Sequence, residues 1–469
     1  MYPPQHCCYN LSTLKRVQQE LSGWGGVLRS RSWVLRPEHL SDVSLCLDST
    51  GGAPLIGRGL GRSYGDAALN GGGAVVLTDR IDRMLRFDEE SGVLSCEAGI
   101  SLEEIIGTFL PRGWFLPVTP GTKFVTLGGA VACDVHGKNH HGEGSLSKYL
   151  LDLELLTAQG EKVRCSPQRE QDLFWATVGG MGLTGIILSA TLKLRRVETG
   201  YVRVRYEAAS SLEEVMDLME SRDDSYTYSV AWVDGMASGA ALGRSILMHG
   251  NHALLSELSE EQKESPLRPG PRRCFTVPFS PPQFFLNRYS VGVFNGLYYR
   301  IQQGKGEVLV DYDRFFYPLD SLASWNRLYG RRGFFQYQCV FPAEVSRQAV
   351  TEILRRLGAE GVPMFLVVLK RFGPAAGLLS FPMPGYTLAL DVPMQGQALL
   401  ETLRGLDRWV ISKGGRVYLA KDASTSGDSF RAMYPGLDEW LRVKRNVDPQ
   451  DRFSSDLSRR LGISSRAGS

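Results

Sequence analysis

Three glycine-dense runs mark places where backbone can approach a ligand closely. They are GRGLGRSYGDAALNGGG at 57–73, TPGTKFVTLGGAVACDVHGKNHHGEG at 119–144 and VGGMGLTGI at 178–186. Glycine leaves N–H groups unshielded, and such runs suit a phosphate or diphosphate. The third contains Gly180-x-Gly182-x-x-Gly185, the spacing of a dinucleotide fingerprint. That fingerprint must follow a strand and open a helix. Here a helical DLFWAT precedes it and a strand-like IILSATLKL follows, so the match is a decoy. In the second run Gly137-Lys138 suggests a P-loop, but Ala132 stands where its first glycine belongs, and Asn139 where Ser or Thr would meet magnesium. His136, His140 and His141 lie near Asp134 and Glu143. Gly137, Gly142 and Gly144 oppose a helix that would put His136 and His140 on one face. These histidines read as hydrogen-bonded loop residues, and no metal site is expected. What remains is a large cofactor whose diphosphate is held by several separate loops.

The composition is that of a folded chain. Its 469 residues, 43% hydrophobic and 22% charged, suffice for two or three domains. A net charge of +3 gives no bulk attraction for nucleic acid, and no such partner is expected. No run of 18 apolar residues occurs, and the first twenty residues lack the basic-then-apolar pattern of a signal peptide. The eight cysteines are scattered without a C-x-x-C pair, so neither a disulfide framework nor a zinc site is expected. Adjacent Cys7 and Cys8 lack the flanks of a lipidation site.

The elements that must position the glycine runs read as α+β. Residues 11–23 are expected to open as a helix. Strands are expected at 74–79, 92–99, 150–165 (two runs turning at Gln159–Gly160) and 186–197. SLEEIIGTFLPRGW at 101–114 reads as a helix with Ser101 as N-cap, Glu104 completing a capping box, and Pro111 and Gly113 ending it. A second helix starts near Asp172, its expected N-cap. Beyond 200, YVRVRYEA, YTYSVAWVD, EVLVDYDRFFYP, FFQYQCVFP, FLVVLKRFG and YTLALDVP read as strands, with EVSRQAVTEILRRLG as a helix between them. They imply a large antiparallel sheet with helices on one side. Residues 256–273 read as a mobile polar loop, followed by an aromatic-rich stretch that covers a site, touches lipid or is core. The expected division is 11–199, 200–415 and a C-terminal segment, 416–469, returning to the first domain.

GRGLGRSYGD, PGTKFVTLGGAVACDVHGKNHH and LFWATVGGMGLTGI together resemble the vanillyl-alcohol-oxidase-type flavoproteins. Within them the likeness is greatest to the branch that oxidises polyprenylphosphoryl ribose in actinobacterial arabinan synthesis. FFQYQ at 334–338, LKRFG at 369–373, LSFPMPG at 379–385, YLAKD at 418–422 and VDPQDRFSSDLSRRL at 447–461 extend it over nearly the whole chain. The resemblance implies a two-domain FAD-binding fold of the PCMH type with an antiparallel-sheet substrate domain. It implies FAD contacts by Gly57, Arg58, Gly59, Leu60, Gly61, Arg62, Ser63, Tyr64, Gly65, Asp66 and Ala67. In the second run it implies Gly121, Thr126, Leu127, Gly128 and Gly129, then Cys133, Asp134, Val135 and His136. Ile187 and Tyr418 complete the set. Arg62 stands where covalently flavinylated relatives often carry histidine, which implies noncovalent FAD.

By the same resemblance Lys421, His136 and Tyr64 are the catalytic positions. Lys138, Gln336, Gln338, Lys370, Phe372, Thr387 and Ala389 belong to the substrate pocket. Gln336 and Gln338 alternate along a strand and so share a face. Oxidising an alcohol needs a group to take the hydroxyl proton and positive charge where electrons accumulate, and Lys421 is the expected charge. Thr387 and Ala389 replace the asparagine and cysteine usual in the branch, so residue 389 offers no thiol to covalent inhibitors. The expected activity is oxidation of the 2′-hydroxyl of a polyprenyl-phosphate-linked pentose to a keto sugar for cell-wall polysaccharide. A short-chain reductase would complete the epimerisation, and the enzyme would sit peripherally at the cell membrane or envelope. The alternatives are a soluble sugar or aldonolactone oxidase and a non-catalytic flavin- or lipid-sugar-binding protein.

Overall fold

The computed structural model describes residues 15–464 except 271, 283 and 284. Cys7 and Cys8, and residues 11–14 of the expected opening helix, lie outside the described residues. The remainder of that expectation is corrected. Val17–Ser22 is a strand, β1, paired antiparallel with β2 (Arg29–Leu35). The expected helix gives way because the partner strand begins seven residues after Ser22, past a Gly23–Gly26 turn. Pairing of that kind overrides local propensity. Helix α1 (Leu40–Ser49) follows, then β3 (Leu55–Arg58) and β4 (Ala74–Leu77), giving a four-stranded sheet in the order β1-β2-β4-β3.

The second sheet has the order β5-β6-β9-β7-β8. Its strands are β5 (Met84–Asp88), β6 (Val93–Glu97), β7 (Leu150–Leu156), β8 (Lys162–Cys165) and β9 (Ile186–Lys193). Between β6 and β7 lie α2 (Leu102–Phe109) and α3 (Leu127–Ala132). Ser101 caps α2 and Glu104 closes the capping box. Helix α4 (Gln171–Thr177) is capped two residues earlier than expected. Its N-cap is Glu170, at φ 49°, and Asp172 sits inside the first turn. The decoy fingerprint lies between α4 and β9, helix before and strand after, the reverse of a dinucleotide site.

The second half builds an eight-stranded sheet whose pairings are all antiparallel. Its strands are β10 (Tyr201–Ala209), β11 (Tyr228–Val233), β12 (Ser245–His252), β13 (Glu307–Asp311), β14 (Phe334–Pro342), β15 (Leu366–Phe372), β16 (Gly385–Pro393) and β17 (Arg416–Val417), in the order β13-β10-β12-β11-β15-β16-β14-β17. The interior strand β12 carries no strand pattern in the sequence. It runs SILMHGNH, and Gly250 is there because a Cβ would sit 2.9 Å from the Phe315 ring. After β13 the chain turns helical at Tyr312–Phe316, where a continuing strand was expected. Asp311 caps that turn through the Arg314 N–H at 2.8 Å. Helices α5 (Leu212–Arg222), α6 (Arg288–Gln302), α7 (Ala343–Ala359) and α8 (Gln397–Ser412) complete this half.

The polar stretch 256–273 holds a one-turn helix, Glu260–Lys263, and is tied down. The Arg272 guanidinium donates to the Tyr317 and Pro318 carbonyls at 2.9 Å, and the Gly200 N–H donates to the Pro266 carbonyl at 2.7 Å. From 416 the chain starts as the edge strand β17, then runs back to the first sheet. The Leu55 N–H donates to the Arg452 carbonyl, and Phe453 bridges to Leu55. No helix among the described residues is long and apolar enough to cross a membrane.

Candidate active site

One continuous cavity of about 1080 Å³ runs from the glycine loops of the first half to the face of the eight-stranded sheet. Gly57, Gly59, Leu60, Gly61, Arg62, Ser63, Tyr64 and Ala67 line it from the first run. Gly121, Thr126, Gly128, Gly129, Cys133, Val135 and His136 line it from the second, with Ile187 and Tyr418 opposite. The backbone N–H groups of residues 59–63, 121 and 122 donate to no other atom of the described residues. A Cβ at Gly121 would meet nothing within 4 Å, so the backbone there stands open to the cavity. The buried Nε of Arg62 also has no partner, and its guanidinium lies 4.0 Å over the Trp24 ring. Unpaired donors cost free energy when buried and call for an anionic partner. This donor set fits the diphosphate of FAD.

Five of the expected cofactor contacts stand behind the wall and do not line the cavity. Arg58 donates to the Ser22 and Ala68 carbonyls. Gly65 lets two loops touch, since a Cβ there would lie 1.8 Å from the Asp422 carbonyl oxygen. Asp66 is held by the Arg460 fork at 2.7 and 2.9 Å. Leu127 is core. Asp134, at φ 40° and fully buried, accepts from Ser380 Oγ at 2.6 Å.

Beyond the cradle Lys138, Lys370, Lys421, His136 and Asp391 stand on the cavity wall, which Lys305, Arg272, Arg314 and Asp320 also line. Lys421 puts its ammonium 3.8 Å over the Tyr64 ring, and burial lowers its pKa to about 8. His136 is gripped from both ring nitrogens. Gln338 Nε2 lies 3.1 Å from Nε2, and Lys370 Nζ lies 3.2 Å from Nδ1. Burial first and Lys370 second hold His136 well below its usual pKa, so it is neutral at pH 7. The Gln338 amide also donates to Thr387 Oγ1, whose own proton goes to the Cys339 carbonyl. Both amide hydrogens are therefore spent, Nε2 of His136 accepts, and Nδ1 carries the proton that faces Lys370. Burial brings Lys370 and Lys138 each down to about 7. Lys138 donates to the Phe315 carbonyl and lies 4.2 Å over that ring.

Thr387 and Phe372 do not line the cavity. Thr387 acts through Gln338, and Phe372 packs on the His136 ring at 4.7 Å. Ala389, Gln336, Gln338, Lys138 and Lys370 do line it. The three clustered histidines part company. His140 is satisfied by Ser145 Oγ at 3.1 Å and the Gly373 N–H at 3.2 Å, and His141 meets the Tyr226 carbonyl at 3.0 Å.

Asp391 is the residue the sequence reading missed. It accepts from Gln336 Nε2 at 2.5 Å and from the Tyr329 hydroxyl at 3.1 Å, and burial raises its pKa to about 6. A signal existed: Thr387, Ala389 and Asp391 alternate along β16 and so share one face with the expected pocket positions.

The fold and its donors define the class. The FAD binding domain family matches residues 32–166, which include the first two glycine runs and the strands from β3 to β8. With hydride-transfer chemistry housed beside that domain, this is an FAD-dependent oxidoreductase. Over 451 residues, 95% of this chain and 98% of the relative, it is 39% identical to the decaprenylphosphoryl-β-D-ribose oxidase of Mycolicibacterium smegmatis. It is 36% identical to an uncharacterised Streptomyces coelicolor protein, over 78% of this chain and all of that one. Cytokinin dehydrogenase 3 of Oryza sativa subsp. japonica is 28% identical over 45% of this chain and 42% of its own. The chain belongs to the decaprenylphosphoryl-β-D-ribose oxidase family.

Proposed function

We propose that this enzyme oxidises the 2′-hydroxyl of a polyprenylphosphoryl-β-D-ribose to the 2-keto sugar. The observation that carries the reading is one continuous cavity whose wall holds a diphosphate cradle, the cations Lys421, Lys138 and Lys370 beside His136, and the apolar side chains Phe294, Tyr298 and Phe365. Such a wall takes a sugar, its phosphate and an isoprenoid together. FAD, held noncovalently because Arg62 replaces the attachment histidine, supplies the hydride acceptor. Gly57, Gly59 to Tyr64, Ala67, Gly121, Thr126, Gly128, Gly129, Cys133, Val135, His136, Ile187 and Tyr418 are its proposed holders.

The chain's own groups then do four things. Lys370 and His136 share one proton between Nζ and Nδ1, and that pair receives the hydroxyl proton as the carbinol C–H bond breaks. Lys421 keeps a positive charge where negative charge builds, and Tyr64 fixes its position by the cation–π contact. Asp391, oriented by Gln336 and Tyr329, biases Lys421 towards its charged form. Lys138 meets the substrate phosphate as a point charge. The proposed domain division is that of the sequence reading, 11–199, 200–415 and 416–469. A short-chain reductase consuming the keto sugar, and work at a membrane surface, follow from the same substrate.

Anaerobic bleaching of the flavin tests the reading. Polyprenylphosphoryl ribose should bleach it, and free aldonolactones should not. Equal bleaching by the free lactone overturns the lipid-linked substrate in favour of a soluble sugar oxidase.

A second measurement addresses the lysines. With pKa values near 7, Lys138 and Lys370 are mostly neutral at pH 8 in the free protein. A phosphate arriving at Lys138 raises its pKa, so binding takes up a proton, while Lys370 stays neutral against His136. Calorimetry at pH 8 in two buffers of different ionisation enthalpy should find an uptake of about one proton, shrinking towards zero near pH 5.5, where Lys138 is already charged. No uptake at pH 8 would mean that the phosphate lies elsewhere.

A further inference from the structure

Helix α6 is anchored by one side only. Asn295 Nδ2 donates to Asp234 at 2.9 Å, the Tyr299 hydroxyl donates to the Ala209 carbonyl at 3.3 Å, and the Tyr298 ring packs on Trp232 at 4.6 Å. The other side presents Tyr289, Val293, Leu297 and Ile301, four residues apart, with 77%, 74%, 58% and 58% of their surface exposed. That spacing makes one stripe along a helix. Phe275 and Phe279, in the stretch just before the helix, are also exposed. Residues 275–301 hold eight of the sixteen large hydrophobic side chains exposed among the described residues. Isolated exposed apolar groups need no explanation, but a stripe of them does.

The charge around the stripe is one-sided. Residues 265–306 contain Arg268, Arg272, Arg273, Arg288, Arg300 and Lys305 and not one Asp or Glu, in a chain whose net charge is only +3. Arg272 is held by Asp313 and by the Tyr317 and Pro318 carbonyls; a second copy of the same face would bring the other five cations together, and an anionic bilayer would neutralise them. The stripe also borders the cavity, since Phe294, Tyr298 and Gln302 of the same helix line it.

We propose that α6 and the described residues just before it, 272–282 and 285–287, form a docking surface for an anionic phospholipid membrane, lying in the interface with the stripe among the acyl chains and the exposed arginines at the headgroups. The proposal rests on the lipid-linked substrate reading and adds to it the face, the lipid charge and the direction. An isoprenoid tail leaves the cavity between Phe294 and Tyr298 straight into the bilayer, without crossing water.

Flotation of the FAD-loaded full chain with vesicles tests this. The wild type should float with equimolar phosphatidylglycerol and phosphatidylcholine vesicles. Binding should fall at least tenfold on pure phosphatidylcholine and at 0.5 M salt. V293S/L297S and R288Q/R300Q should each weaken it at least tenfold, with unchanged flavin absorbance, thermal midpoint and turnover of a short-chain, water-soluble substrate. The second pair, on exposed arginines, keeps the test valid if the first perturbs folding. The proposal is overturned if wild type ignores the anionic vesicles, if both variants float like wild type, or if the stripe variants instead dissociate a dimer. Loss of vesicle binding leaves flavin bleaching intact, so its failure and that of the substrate reading are read separately.

Discussion

Lys421→Met should yield a folded, yellow protein whose flavin is reduced by substrate about 10²- to 10³-fold more slowly, the usual cost of removing one preorganised charge-stabilising group. The cofactor should stay bound, because the proposed cradle is backbone N–H and Arg62, and Lys421 forms no ion pair among the described residues. Methionine keeps the stem over the Tyr64 ring and removes the charge alone. The wild-type rate has a matching pH signature. Burial lowers the Lys421 pKa to about 8, so the ammonium is present below that value and lost as pH rises through it. Reduction should slow above about pH 8 in the wild type, and that limb should vanish in Lys421→Met. Stopped-flow reduction under anaerobic conditions, followed at the flavin absorbance, measures both. A variant within threefold of wild type, or one that loses FAD, would remove Lys421 from the charge role.

Arg460→Ala should cost about 3–5 kcal/mol of stability, the penalty for leaving buried charge without its partner. The guanidinium binds Asp66 through two parallel contacts at 2.7 and 2.9 Å, Asp422 at 2.9 Å and the Thr425 carbonyl at 2.6 Å. Both carboxylates are nearly without solvent contact. Asp66 belongs to the first glycine loop and Asp422 follows Lys421, so this one side chain fastens the C-terminal segment to the loop that lines the cavity. Removal should lower the unfolding midpoint and release FAD on dilution. Arg460→Lys should recover only part of the loss, because an ammonium cannot reproduce a planar fork. Denaturant unfolding with flavin release followed in parallel is the check. A loss below about 1 kcal/mol would show that the two carboxylates are satisfied in some other way.

Most strands of both large sheets were readable because their patterns are local. FFQYQCVFP, YTLALDVP and LLDLELL announce burial through β-branched and aromatic residues. The capping box at Ser101 was readable for the same reason, as both partners lie within four residues. Two elements failed for the opposite reason: Val17–Ser22 is a strand because β2 pairs with it, and β12 because its neighbours on both sides do. Tyr312–Phe316 is a different case, because its cap, Asp311, is local but sits inside an apolar and aromatic run that reads as strand.

The site divides along the same line. Arg62, Tyr64, His136, Gln338, Lys370 and Lys421 could be named from motifs spread over 360 residues, and the structure puts them around one cavity. Asp391 escaped because no quoted motif contained it, although its register on β16 pointed to it. Arg58, Asp66 and Asp134 were named as cofactor contacts because they sit inside a motif, yet their charges are spent within the protein.

The sequence by itself determined the class of cofactor, the glycine loops that can hold it and the residue types available for the chemistry. Those are properties of single residues and short runs, set by what a side chain can donate, accept or avoid. Only the tertiary structure decided which charges face the cavity, that Gln338 and Lys370 fix the proton of His136 from opposite sides, and that one face of α6 is left uncovered. Each depends on contacts between segments sixty or more residues apart, and burial at the site sets both the hydrogen-bond partners and the pKa values on which the chemistry runs.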